Sequence, residues 1–319
     1  MSGPKSTATP AIPTEATVLA IVRERFGWNT AEARRFTTGM AFYVYDVLHG
    51  PDNVVVRIGL PNQAGSMAEG LALWRRLTPL GVPLPAILAD GTDADLPYVI
   101  MTRLEGTDLG HVMMSLTAPQ RTAIAQSVAD AQLATARLGP GQTFGFAARP
   151  EAAPHRTWGD VIAAGIDRST RRIAANGLFP PSIAAPVIAR FEHHRPALDA
   201  IAATPFLHDT TTKNVIVADT GRFSGIVDVD DLCFGDPRYA AALTRAALLA
   251  FGGPADYIEP WLARMHLPQD GVFSFYVAEF LLNFMSEHGM VFNGNSAPSD
   301  PATRNRLAAL LTRVLDAAP

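Results

Sequence analysis

The chain has 319 residues, of which 48% are hydrophobic and 18% charged, so it can fill globular cores and gives no case for disorder. That length suggests two domains or lobes. A net charge of −4, with acids and bases mixed along the chain, argues against a nucleic-acid binder and suits a neutral or cationic small-molecule partner.

Residues 1–13 are polar and proline-rich with no apolar h-region, so a loose tail is expected there and no signal peptide. Thr14–Phe26 carries Val18, Ile21 and Val22 at helical spacing, with Thr14 placed to cap it. Arg35–Thr38, Phe42–Leu48 and Val54–Ile58 read as consecutive strands, separated by Gly39 and by the turn residues His49–Asn53. Gln63–Leu80 follows as a helix with Met67, Leu71, Trp74 and Leu77 or Thr78 on one face, and Gly81–Pro85 breaks it. Tyr98–Thr102 is a further apolar strand. From about Thr107 the pattern changes to long helical periodicity interrupted by short strands. The expected fold class is α+β: a small lobe over 14–103 of antiparallel sheet plus helix, and a large, mainly α-helical lobe over 104–319. The most apolar stretches, such as Tyr239–Phe251 with Arg245 inside it, are too short to span a bilayer, so no membrane association and a cytoplasmic location are expected.

Two segments carry the chemistry. Phe206–Asn214 runs from a short apolar strand into a polar loop that places the carboxylate Asp209 five residues before the carboxamide Asn214. Gly225–Pro237 begins the same way and puts Asp228 at the end of the next strand. Phosphoryl transfer from ATP needs an acid for the attacking hydroxyl and two oxygen ligands for Mg²⁺. The chain has only two lysines, Lys5 and Lys213, and no Gly-Lys-Ser/Thr, which excludes a Walker-type phosphate loop. If the chain is a kinase, an arginine must take the phosphate-gripping task in the N-terminal half. The single cysteine, Cys233, excludes an intramolecular disulfide and a Cys-rich zinc site. His193 and His194, beside Glu192 and Arg195, read as a solvated helix surface.

Asp209 and Asn214, followed by Ile226-Val227-Asp228, Asp230 and Gly235-Asp236-Pro237, resemble the aminoglycoside phosphotransferase family of protein-kinase-like small-molecule kinases. The resemblance implies a two-lobe kinase-like fold, with Asp209 as catalytic base and Asn214 and Asp228 holding Mg²⁺. It further implies that Arg57 grips the nucleotide phosphates, that Glu69 pairs with it, that Gly39 lies in a phosphate-facing turn, and that the adenine sits near Ile100, Met101 and Arg103. Lys213, four residues after Asp209, is expected to neutralise charge on the transferring group. Asp236 is expected to start the following helix with Pro237 at its first position. The loop departs from the family's His-Gly-Asp: Leu207-His208-Asp209 stands there, with Thr211-Thr212-Lys213 after it.

The acceptor is a small-molecule hydroxyl. Glu279, Asn283 and Glu287 recur at intervals of four on one helix, a stripe that lines a cationic-substrate pocket or, as the favoured reading, faces water. Thr157–Asp160 opens a helix in a region resembling the acceptor-contacting insertion of hygromycin-type phosphotransferases. Asp160, Asp231, Glu279 and Glu287 are the acceptor candidates. An aminoglycoside-type antibiotic is the leading acceptor. The alternatives are a metabolic kinase of the same fold acting on a sugar, amino alcohol or other natural product, and a nucleotide-binding relative that has lost turnover.

Overall fold

The computed structural model describes residues 12–36, 42–292, 295–296 and 299–317. The chain divides into two compact units, Met1–Ala72 with Pro85–Leu104, and Leu73–Leu84 with Glu105–Pro319. In the first, helix α1 (Glu15–Phe26) begins at Thr14, which shares a reciprocal capping box with Thr17, and ends at Gly27 with φ 72°. Strands β1 (Glu32–Arg35), β2 (Tyr43–His49) and β3 (Asp52–Ile58) follow, then helix α2 (Ala64–Leu77), β4 (Ile87–Gly91) and β5 (Tyr98–Thr102). The five strands form one antiparallel sheet in the order β1-β2-β3-β5-β4.

Alternation along the strands decides what each face does. Val54, Val56 and Ile58 point to one side of β3, where they pack with Tyr45, Val47, Tyr98 and Ile100 against Val18 and Val22 of α1. Burying each such side chain contributes about 1.5–3 kcal/mol. On α2, Met67, Leu71, Trp74 and Leu77 are all buried, as their spacing predicts. β1 covers Glu32–Arg35, where Arg35 pairs with Tyr45; of the strand expected at Arg35–Thr38, Thr37 and Thr38 lie outside the described residues. β4 carries little strand signal of its own, since Ala89 and Asp90 are weak strand formers and Leu88 is exposed; pairing with β5 makes it a strand.

The second unit holds β6 (Thr107–Asp108), α3 (Leu109–Val112), α4 (Ala118–Ala136), β7 (Gly145–Ala147), α5 (Trp158–Asn176), α6 (Ala185–Asp199) and β8 (Thr204–Phe206). It continues through β9 (Val215–Val217), β10 (Phe223–Ile226), β11 (Leu232–Gly235), α7 (Arg238–Phe251), α8 (Ile258–Arg264) and α9 (Gly271–Glu287), and closes with β12 (Val291–Phe292), β13 (Asn295–Ser296) and α10 (Pro301–Ala317). Two three-stranded sheets, β10-β9-β6 and β7-β11-β8, carry the loops of interest. Trp158 is fully buried at the centre of a cluster with Phe206, Tyr239 and Tyr276. Its ring lies so close to Gly235 that a Cβ there would meet it at 2.1 Å, which explains the glycine before Asp236. Among the described residues no helix is long and apolar enough to cross a membrane.

Candidate active site

The loop between β8 and β9 is held from beneath by buried polar groups. Gln132 of α4 is fully buried, and its carboxamide accepts from the Leu207 amide N–H (2.9 Å) and donates to the Leu207 carbonyl (2.7 Å). The same Nε2 reaches Thr210 Oγ1 at 3.2 Å, and Thr244 of α7 donates to the Thr210 carbonyl at 3.4 Å. Three backbone groups at the start of the loop are thereby tied to two helices. Sequence reasoning passed over Gln132. Its signal is a polar residue four positions after Val128 and eight after Ile124, on the buried face of α4.

On this support the expected chemical groups converge. Asp209 is half-buried; Thr211 donates its hydroxyl to Oδ1 at 2.8 Å, and no hydrogen bond among the described residues reaches Oδ2. Asn214 donates Nδ2 to the Asp209 carbonyl at 3.0 Å, which leaves Oδ1 as the unoccupied end of its amide among the described residues. The Asn214 carbonyl accepts from Val227 N–H at 2.9 Å, so the residue before Asp228 is bonded to the loop that carries Asp209. Asp228 itself is exposed and has φ 60°, a conformation costing roughly 1–3 kcal/mol in a non-glycine residue and clustering at functional sites. Trp74 Nε1 donates to the Val229 carbonyl at 2.6 Å and fixes the other side of that turn. Lys213 is exposed at the tip of the loop.

Asp236 belongs to the frame beneath the loop. It is 3% exposed and receives Arg238 Nε and Nη2, the latter at 2.7 Å, together with the Tyr276 hydroxyl at 2.9 Å. Tyr276 in turn accepts from Trp158 Nε1 at 2.7 Å, and Arg238 Nη1 reaches Asp270. Burial alone would lower the Arg238 pKa; the hydrogen bonds and charge of Asp236 reverse this and raise it. Asp236 also accepts from the Arg238 amide N–H at 3.0 Å, but the helix begins one residue later than expected: Pro237 is the cap of α7 and Arg238 its first residue.

The acceptor candidates separate. Asp160 closes a capping box with Thr157 and pairs with Arg195 at 2.6 Å. Despite the cost of desolvation its carboxyl is held below the usual range, chiefly by Arg195. Asp231 faces His208, next to Asp209 in the chain, at 3.4 Å; burial raises its pKa against the pull of that imidazole. Glu287 takes Asn283 Nδ2 at 3.2 Å and Arg172 at 3.8 Å. The favoured reading of the α9 stripe as water-facing is overturned at Glu279, which is 2% exposed because α9 is packed on nearly every side. His194 is likewise half-buried, its ring on Phe275 and its Nε2 enclosed, so the pair is no simple solvated surface. Glu279 and Asn283 line a recess of about 80 Å³ with Phe146, Arg168, His208 and Tyr239. Asp160, Asp231 and Glu287 are not in its wall.

The family model described as the phosphotransferase enzyme family matches residues 32–270, three-quarters of the chain, a span that includes Asp209, Asn214 and Asp228 and ends before Tyr276 and Glu279. The chain belongs to that family. It is an enzyme of the small-molecule phosphotransferase class with the kinase-like fold. The fold resembles that of a thermostable mutant of aminoglycoside phosphotransferase APH(4)-Ia in ternary complex with ADP and hygromycin B, at TM-score 0.65 and 19% identity over 94% of this chain and 98% of that one. It also resembles ADP-bound APH(2'')-Ib (0.61, 14%, 94% and 98%) and gentamicin-bound APH(2'')-IIa (0.61, 13%, 97% and 98%). No curated protein matches the sequence at a significant level.

In the first unit of this phosphotransferase, register sorts the expected nucleotide residues. Arg57 pairs with Val44 and Val99, and Val55 with Asp46 and Met101, so Arg57 and Met101 share the sheet face opposite α1. The Arg57 guanidinium lies 4.1 Å from the centre of the Phe42 ring, which directs the side chain. Ile100 departs from expectation: its side chain is fully buried in the α1 core, and β3 and β4 flank its backbone. Strand pairing ends at Thr102, so the segment leaving the sheet begins at Arg103, which pairs with Asp46 at 3.1 Å. Glu69 is exposed on α2, and Gly39 lies outside the described residues.

Proposed function

We propose that the enzyme transfers the γ-phosphoryl group of ATP to a hydroxyl of an amine-bearing small molecule, the class that includes the aminoglycosides bound by its structural neighbours. The observation that carries this is the pair of bonds through Asn214, to the Asp209 carbonyl and from Val227 N–H, which joins the base to the residues proposed to hold the metal. Asn214 Oδ1 and the Asp228 carboxylate are hard oxygen donors, one neutral and one charged, and they fit Mg²⁺, which when bound withdraws charge from the phosphate oxygens. Asp209 Oδ2 accepts the acceptor's hydroxyl proton while the oxygen forms its bond to the γ-phosphorus; the bond from that phosphorus to the β-phosphate oxygen breaks, and ADP leaves. Thr211 holds Oδ1, so Oδ2 is the oxygen presented. Arg57 on its sheet face supports a grip on the donor phosphates, with Glu69 directing it, and Lys213 supplies positive charge at the loop tip. Met101 and the segment from Arg103 suit the adenine. ATP as donor fits a cytoplasmic location.

The test is ADP release from ATP–Mg²⁺ across a panel of aminoglycosides and smaller amino alcohols, with Asp209→Asn as comparison. Acceptor-dependent release is expected to fall by about 10²–10⁴ in the variant, with its ATP affinity retained. A variant as active as the wild type, or no stimulation by any acceptor, would sink this reading.

A further inference from the structure

The recess beside the Asp209 loop has the composition of a binding site for one charge on an apolar body. Its wall includes Phe146, Val161, Tyr239, Leu243 and Phe280, and its sole carboxylate is Glu279. The acid is oriented: Tyr239 donates its hydroxyl to Oε2 at 2.9 Å, and Oε1 accepts no hydrogen bond among the described residues. Oε1 faces Gly165, also in the wall, where a Cβ would meet it at 3.0 Å. Glycine at that point keeps space in front of the oxygen. No ion pair within 4.0 Å compensates Glu279 among the described residues, although Arg168 lines the same recess. Burial pushes its carboxyl up to about 7, against the opposing pulls of Tyr239 and Arg168. A buried acid in this condition gains most from a weakly hydrated cation that brings its own apolar surface. The aromatic rings add cation–π attraction to such a group. Arg168 in the wall opposes further positive charges on the ligand.

We propose that this recess is the acceptor subsite, that it takes a single alkylammonium group seated on Glu279 between aromatic rings, and that the acceptor is an apolar amino alcohol with one amine in preference to a polycation. The assignment rests on the phosphotransferase reading, because His208 joins the recess wall to Asp209 in the chain. Its own chemistry is tested without turnover.

Titration calorimetry on the full chain with ATP–Mg²⁺ absent uses three probes: dimethylaminocyclohexanol, the isosteric neutral isopropylcyclohexanol, and gentamicin. The amine is expected to bind at least about tenfold more tightly than the neutral probe, and Glu279→Gln to erase that difference by weakening the amine alone. Arg168→Gln, which removes the opposing charge, should tighten the amine. Equal binding of amine and neutral probe by the wild type overturns the proposal, as does gentamicin binding that is tightest and indifferent to Glu279→Gln. A second arm measures ADP release with the same probes. Amine-selective binding without turnover would leave an ammonium site standing and overturn its assignment as the acceptor subsite; turnover without amine selectivity would leave the phosphotransferase reading standing and overturn the ammonium site.

Discussion

Two carboxylates in the second unit are equally removed from water and treated in opposite ways. Asp236 is met by a guanidinium and a tyrosine hydroxyl, and its environment is complete. Glu279, on the helix that also supplies Tyr276, has a single hydroxyl and an oxygen left facing a recess. The fold neutralises the first acid with its own residues and leaves the second to be completed by something that binds. A fully paired buried charge is framework, and one that is half-satisfied marks a site.

The largest effect should come from undoing the complete pair. Asp236→Ala leaves the buried Arg238 with Asp270 as its remaining carboxylate and removes the acceptor of Tyr276, and unfolding in urea should show a loss of about 3–5 kcal/mol. A loss below about 1 kcal/mol would end the contrast. Next, Glu279→Gln should stabilise the protein at pH 8 by on the order of 3 kcal/mol. The sign follows from a folded pKa of about 7 against an ordinary value of 4.5. The unfolded chain releases this proton first, so the stability this group contributes is full below the ordinary value and is lost as pH climbs towards 7. The variant and wild type should therefore converge at low pH, and parallel curves would refute the assignment. The smallest effect concerns Gln132, a buried group that carries no charge. Gln132→Leu should lower kcat about tenfold, near 1.4 kcal/mol, with little change in KM for ATP, because it loosens the loop under Asp209 and touches no nucleotide residue. Equal changes in both constants would instead mark a general loss of structure.

Much of the frame is visible in one dimension. Thr14 with Val18 and Val22 predicts α1, the apolar spacing of α2 predicts its buried face, and Tyr98–Thr102 is found as expected. Local signals suffice there because capping, alternation and helical period are properties of a few neighbouring residues. The Asp209, Asn214 and Asp228 set is legible for the same reason: each residue ends a short apolar strand or follows it at fixed spacing. Glu279 was misjudged as facing water because its stripe neighbours Asn283 and Glu287 are polar, and only the packing of α5 and α7 around α9 buries it. Ile100 was expected to offer exposed backbone, but β3 and β4 pair on both sides of it, and sequence does not give the strand order.

The sequence by itself determined the family, the α+β class and the helix and strand signals around the proposed reacting groups, since these depend on residue type and short spacing. Tertiary structure alone decided that Gln132 braces the loop, that Arg57 and Met101 share a face, and that one acid on α9 is left half-satisfied beside an apolar recess. Those outcomes depend on which residues distant in the chain become neighbours, and burial sets the charge a carboxylate can keep only once its neighbours are in place.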